Sequence, residues 1–274
     1  MPHRVMETFH VERDDVRLAA QRWPGGDRTI VLLHEGVADL RGWAETAALL
    51  APEVTVVAYD RRGHGQTPAG TGPFSHLDDL FAVLDVVDAG PVWLVGASAG
   101  GGLAIDATLS APHRVSGLVV MGTAVSGAPE PELDEDTKRL EPLLERAYDA
   151  HDADEINRLE TWIWLDGPAQ PEGRVTGAAR ALAIDMNAII IASSTEESAE
   201  ATGIDAWHRL NEIRVPVTVL CGDLDVPFIV TRCREIAARI PSARYRELTG
   251  MAHQPYLESP AAVAGLIRDA LTGR

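Results

Sequence analysis

The run from Val92 to Gly102, VWLVGASAGGG, constrains this 274-residue chain more than any other stretch. Trp93, Leu94 and Val95 read as a buried strand, and Leu103, Ala104, Ile105 and Ala107 as the apolar side of a helix that follows. Between them lies Ser98, with Gly96 two residues before it and Gly100 two residues after. A serine lifted clear of a sheet needs a tight strand-to-helix turn, and flanking glycines leave room for the backbone to cross over itself. Ala97 and Ala99 add little bulk. The pattern is that of a nucleophile elbow, and it demands strand, turn and helix in immediate succession.

The surrounding chain supplies the sheet that such a turn needs. METFHVE and VRLAAQRW alternate around Asp14 and Asp15 and read as a hairpin. TIVLLH (Thr29 to His34) is a continuous apolar run of the kind buried on both faces of a parallel sheet. A helix from about Gly42 to Leu50, the strand VTVVAYD (Val54 to Asp60), an amphipathic helix near His76 to Val87, the elbow and the strand SGLVVMG (Ser116 to Gly122) follow. Alternation of this kind predicts an α/β fold with a doubly wound, mostly parallel sheet.

The alternation stops from about Ser126 to Ile213, where the text is helical, with breaks at Gly167 to Gly173 and around Ser193 and Ser194. It resumes at VPVTVLCGDLD (Val215 to Asp225), a helix from Thr231 to Arg239, the strand ARYREL, and a last helix opened by Ser259 and Pro260. An interruption between two stretches of one sheet reads as an inserted helical cap, residues 126–213, on a core of residues 1–125 and 214–274.

Composition narrows the partners. With 24 Lys+Arg against 41 Asp+Glu, the net charge of −17 argues against nucleic acid, anionic membranes and polyanionic substrates. The acidic stretch from Glu130 to Arg146 reads as a solvated helix start with paired charges. Two cysteines make no disulfide framework; Cys221 reads as a core thiol, and Cys233 falls in a helix, with no CxxC or HxxxH pair to suggest a metal. No apolar run approaches a membrane span, and MPHRVMETFHVERDD lacks the apolar core of a signal peptide, so the expectation is a cytoplasmic protein acting on a small molecule. Oligomeric state is not legible.

A serine hydroxyl needs a base, and the base needs an acid that holds its tautomer. Asp225, in GDLDVPF at the end of an apolar strand, is the candidate acid, and His253, in TGMAHQPYLESP before the final helix, the candidate base. Asp223 is the alternative acid, with the Gly-x-x-Asp spacing from Gly222 favouring Asp225. The order serine, acid, histidine, with LLHEG, YDRRGHGQT, GASAGG, GDLDVP and GMAHQPYLESP in register, resembles the α/β-hydrolase superfamily with a helical cap, over nearly the whole chain. The resemblance implies that Ser98 is the nucleophile, His253 the general base and then acid, and Asp225 the group that stabilises the imidazolium, with no metal or organic cofactor.

The oxyanion hole is expected from two backbone N–H groups, Ala99 at the helix start and, by resemblance to the family's HG loop, Gly36. Glu35 departs from the commoner glycine at its position; it is expected to turn away and hydrogen-bond within its loop, the alternative being contact with substrate. His34 is expected to brace that loop, and Asp60, Arg61, Gly63, His64 and Gly65 to form a structural turn. His3, His10, His76, His113, His151 and His208 match no motif and read as surface or capping residues. Within the cap, Trp162, Trp164, Met186 and Asn187 are the candidate substrate contacts. Trp43 reads as a core anchor, and Val125 and Phe228 flank strand ends near the site. The expected reaction is cleavage of a carboxylic ester or lactone through an acyl-enzyme. Thioester, amide and carbon–carbon bond hydrolysis use the same groups, and a lyase, cyclase or receptor that keeps the triad is the alternative of another class.

Overall fold

The computed structural model describes residues 5–13, 15–193 and 199–274. His3, Asp14 and Ser194, to which the sequence assigned a surface, a turn and a break, lie outside the described residues. Eight strands form one sheet: β1 (Glu7–Glu12), β2 (Arg17–Trp23), β3 (Thr29–Leu33), β4 (Thr55–Tyr59), β5 (Val92–Ala97), β6 (Val115–Met121), β7 (Val217–Gly222) and β8 (Ala243–Leu248). Their spatial order is β1-β2-β4-β3-β5-β6-β7-β8. β1 and β2 pair antiparallel as the expected hairpin, β2 meets β4 antiparallel, and every later neighbour is parallel.

Every residue of β3, β4 and β5 is buried, which is why these strands read as unbroken apolar runs rather than alternations. Alternate side chains feed two cores. Val31, Leu33, Leu94 and Val120 pack on one face beneath α2 (His76–Val87), α3 (Ala99–Ser110) and α8 (Pro227–Arg239). Ile30, Leu32, Val95 and Met121 pack on the other, beneath α1 (Ala44–Leu50) and α10 (Pro260–Thr272). Trp43 belongs to this second core, fully buried and stacked on Tyr256 with ring centroids 4.2 Å apart.

Helix α2 has the expected bounds because Ser75 Oγ accepts from the Asp78 N–H at its start and Asp88 leaves it in the left-handed region at φ 43°. Other bounds differ from the sequence reading. Residues Leu40–Trp43 form a 3-10 turn ahead of α1. Strand β7 ends at Gly222, and α8 begins at Pro227 rather than Thr231, because proline is suited to the first helical turn and the apolar residues behind it face the core.

Between β6 and β7 the described chain adds no strand. It runs through α4 (Glu135–Asp149), α5 (Ala153–Thr161), a π-helical turn (Trp162–Asp166), α6 (Gly177–Ser193) and the short α7 (Ala206–Arg209). Helix α4 starts at an Asp134 cap and carries the exposed Lys138–Glu135 pair, while Leu140 and Ala147 are buried. A last short helix, α9 (Pro255–Glu258), separates β8 from α10. Among the described residues no helix is long and apolar enough to cross a membrane.

Candidate active site

The C-terminal ends of β3, β5, β7 and β8 lie along one edge of the parallel sheet, where loops of open α/β sheets carry function. Ser98 follows β5 directly and adopts φ 48°, ψ −117°, a left-handed backbone that costs a non-glycine residue about 1–3 kcal/mol. The glycines around it permit the close approach. A Cβ on Gly100 would stand 2.4 Å from the Leu33 carbonyl oxygen, and one on Gly96 would stand 2.3 Å from that of Gly100. Ala99 opens α3, so its N–H has no acceptor inside the helix and lies at the positive end of the helix dipole.

Asp225 sits on the loop after β7, almost wholly buried, and accepts the Val226 N–H at 2.7 Å. His253, on the loop after β8, places Nδ1 2.8 Å from Asp225 Oδ2 and 3.0 Å from Oδ1. The carboxylate therefore accepts from Nδ1–H and leaves Nε2 outside that hydrogen bond. Asp223 is elsewhere: its Oδ1 accepts the Gly250 N–H at 2.7 Å and helps hold the loop that carries His253. Burial alone would lower the imidazole pKa, but the charge and hydrogen bond of Asp225, aided by Glu35, push it up to about 9. The His253 ring lies 4.7 Å from the Trp164 ring, and its backbone N–H donates to the Trp164 carbonyl at 3.2 Å. Behind the pair, Gly122 has φ 53°, and a Cβ there would come within 2.9 Å of His253 Nδ1.

The loop after β3 is braced from below. His34 is fully buried; its Nδ1 donates to the Glu35 carbonyl at 2.8 Å and its Nε2 accepts the Arg61 N–H at 3.0 Å. Arg61 donates a second bond to the same Glu35 carbonyl at 2.8 Å. Asp60 ties the neighbouring turn by accepting the Leu40 and Gln66 N–H groups, each at 2.8 Å. His64 lies with Nδ1 2.8 Å from the Arg62 carbonyl and Nε2 3.2 Å from that of Gly36, behind the cavity rather than lining it.

Glu35 itself does not turn away into its own loop. Its carboxylate is fully buried and faces the cavity that Ser98 and His253 line. Oε1 accepts from Gln254 Nε2 and from Tyr256 OH at 2.9 Å, while Oε2 has no hydrogen-bond partner and lies 3.8 Å from His253 Nε2. Burial raises its pKa, against the pull of His253, Tyr256 and Gln254. The local sequence gave no sign of this, because both partners come from the far end of the chain.

The cavity has a volume of about 680 Å³. Gly36, Val37, Ser98 and His253 line it from the sheet side, and α5, α6 and the residues around them line the other. Of the four expected contacts from this helical segment, Trp164 and Asn187 line it and two do not. Trp162 instead donates Nε1–H to the Gln170 carbonyl at 2.8 Å and lies beneath the Arg139 guanidinium. Residues two apart on a helical turn point to different sides, so Trp162 and Trp164 could not share a wall. Met186 is fully buried in the second core, its Sδ 3.5 Å from the Asp39 N–H. Val125 and Phe228 pack in the first core.

Sequence reasoning missed Tyr148, His151, Ile156, Glu160, Ile190 and Ile191 on the far wall. The apolar members carry the ordinary spacing of a packed helix. Glu160 is 9% exposed; Oε1 accepts from Tyr148 OH at 2.6 Å and Oε2 from Asn187 Nδ2 at 2.8 Å. His151, expected at the surface, follows α4 in the left-handed region at φ 54° and borders the opening.

A family model for the alpha/beta hydrolase family matches residues 30–266. The chain is 27% identical over 274 residues to a putative 2-succinyl-6-hydroxy-2,4-cyclohexadiene-1-carboxylate synthase of Bacillus subtilis (strain 168), covering 94% of this chain and 96% of that protein. It is 34% identical over 128 residues to a 2-hydroxy-6-oxononadienedioate/2-hydroxy-6-oxononatrienedioate hydrolase of Escherichia coli, covering 43% of this chain and 44% of that protein. The chain thus matches less than half the length of the second relative. The crystal structure of the enol-lactonase from Burkholderia xenovorans LB400 has a TM-score of 0.71 at 22% identity, covering 94% of this chain and 97% of that one, a likeness of fold.

Proposed function

The chain belongs to the alpha/beta hydrolase family, and we propose that it is a serine hydrolase that cleaves a small carboxylic ester or lactone through an acyl-enzyme. The observation that carries this reading is His253: buried, held at 2.8 Å by Asp225 through Nδ1, and lining with Ser98 one cavity. Ser98 Oγ attacks the substrate carbonyl while His253 Nε2 takes its proton, and Asp225 stabilises the imidazolium. The tetrahedral oxyanion is met by the N–H groups of Ala99 and Gly36. His253 then protonates the leaving alcohol, and the same ring takes a proton from water as the acyl group is released from Ser98.

In this reading residues 126–213 are a cap on a core of residues 1–125 and 214–274, and the cap wall chooses the substrate. No cofactor takes part, and the protein acts in the cytoplasm. The two relatives named above act on, or make, compounds whose names include a carboxylate or a dioate. Neither Lys nor Arg is among the described residues lining this cavity, so apart from its histidine side chains the cavity offers such substrates no cationic anchor.

The test is labelling with a fluorophosphonate probe together with turnover of short p-nitrophenyl esters and lactones. Labelling that disappears in Ser98→Ala, with ester or lactone turnover lost in the same variant, is the expected result. Full activity in Ser98→Ala overturns the covalent mechanism, and labelling without turnover on a broad panel favours a lyase or receptor.

A further inference from the structure

The walls of the cavity are unbalanced in a way that the proposed acyl transfer does not require. Two carboxylates face it, Glu35 and Glu160, and both are at least nine-tenths buried. Glu35 Oε2 lies 3.8 Å from His253 Nε2 and pairs with that ring while it is protonated, whereas Glu160 meets no Lys, Arg or His within ion-pair distance among the described residues. Glu160 is held by the hydroxyl of Tyr148 and the amide of Asn187, which are neutral donors. A buried carboxylate without a cation is costly, and such groups usually pair.

The buried polar atoms left over around this cavity point the same way. Glu35 Oε2 and Asn187 Oδ1 have no hydrogen-bond partner, and both are acceptors. The orientation of Asn187 is fixed, because its Nδ2 donates to both Glu160 Oε2 and Asn157 Oδ1, at 2.8 and 3.2 Å. Each Glu160 oxygen also keeps a lone pair after its one bond. The unmet capacity is therefore for donors. The Tyr148 and Trp164 rings border the same space, and aromatic faces attract cations. On a larger scale, the net charge of −17 gives the molecule a field that draws cations in and turns anions away.

We propose that the substrate of this site is an ester or lactone bearing an ammonium group, which seats against Glu160 and the Asn187 carbonyl oxygen while the scissile carbonyl meets Ser98, and that carboxylate-bearing esters are rejected. The inference rests on the serine hydrolase reading for the bond broken, but its recognition half is separable.

Three butyrate esters matched in shape test it: the 2-(dimethylamino)ethyl ester, protonated at pH 7, its uncharged 3-methylbutyl isostere, and the 2-carboxyethyl ester. Binding of each to Ser98→Ala is measured by calorimetry, and turnover of each by the wild-type protein in a pH-stat. The ammonium ester is expected to bind about tenfold more tightly than the isostere and the carboxylate ester about tenfold more weakly. In Ser98→Ala/Glu160→Gln the ratio between ammonium ester and isostere should fall toward one. Equal affinity for the two isosteres, tighter binding of the carboxylate ester, or no binding of any of the three overturns the inference. So does a preference unchanged by Glu160→Gln, and the wild-type turnover ranking stands even if that variant does not fold. Preferential binding of the ammonium ester without turnover of any ester sinks the hydrolase reading and leaves the recognition intact.

Discussion

The Nε2 atom of His253 lies 3.8 Å from Oε2 of Glu35, on the ring edge opposite the one held by Asp225. The imidazole thus stands between two buried carboxylates, one hydrogen-bonded to it and one facing it across the cavity wall. Glu35 Oε2 has no hydrogen-bond partner, while Oε1 is held by Gln254 and Tyr256, so the carboxylate adds to the pull of Asp225 on the ring. The proton affinity of the ring is set from two sides, and only one of those sides belongs to the proposed Ser-Asp-His set.

Glu35→Gln should therefore move the pH profile. In the proposed mechanism His253 must be neutral to accept the serine proton, and with its pKa pushed up to about 9 the wild-type kcat/KM should rise as pH rises through about 9 and level above it. Removing the Glu35 charge lets the imidazole pKa fall, so the rising limb shifts to lower pH and activity near neutrality increases several-fold. Measuring kcat/KM from pH 6 to 10 checks this, and a proportional change at every pH would show that Glu35 acts by shape alone. The stability sign is opposite. A folded pKa raised above the ordinary 6.5 gives stabilisation that is complete below about 6.5 and lost as pH rises through about 9.

The two aspartates after β7 should separate cleanly on substitution. Asp225→Asn keeps the shape but favours the wrong His253 tautomer, and the expected loss in kcat is on the order of 10⁴-fold. Asp223 holds a loop N–H instead, and Asp223→Asn should stay within ~2-fold of wild type. Steady-state kinetics on any ester that the wild type hydrolyses decides it, and the reverse ranking would reassign the acid.

What the sequence makes legible here follows range of interaction. Strands β3, β4 and β5 stand out because burial on both faces removes polar residues from whole segments, and α2 because a serine cap marks its start. The proposed acid and base, Asp225 and His253, stand out because each sits in a short motif soon after a strand. The orientation of Glu35 is hidden because its partners, Gln254 and Tyr256, lie more than two hundred residues on. The far wall is hidden for another reason. A π-helical turn sets the directions of Trp162 and Trp164, and Met186 and Asn187 are neighbours on a helix that face a core and a cavity respectively.

Ser98→Gly should stabilise the fold while abolishing turnover. At φ 48° and ψ −117° a serine stores about 1–3 kcal/mol that glycine does not. The unfolded chain gains freedom from the added glycine, which returns roughly 0.5–1 kcal/mol of that. The net expectation is a gain of about 1 kcal/mol and a Tm higher by roughly 2–4 °C. Thermal denaturation of the two proteins checks it, and a lower Tm would mean that the elbow is relaxed with serine in place.

Asp166 connects the far wall to the base. It is fully buried, accepts the Gly173 N–H at 2.8 Å and the Val175 N–H at 2.9 Å, and pairs with Arg180 at 2.7 Å. These bonds fold residues 167–175 back on the π-helical turn that carries Trp164, whose carbonyl accepts the His253 N–H. Asp166→Ala leaves the Gly173 and Val175 N–H groups without their acceptor and removes the partner of the partly exposed Arg180, a loss of about 2–3 kcal/mol. If the loop also positions His253, kcat should fall in folded protein at low temperature, with Asp166→Asn intermediate because it retains a side-chain acceptor. Denaturant midpoints paired with kcat on the same samples separate the two effects. A destabilised variant with wild-type kcat would confine Asp166 to holding its loop.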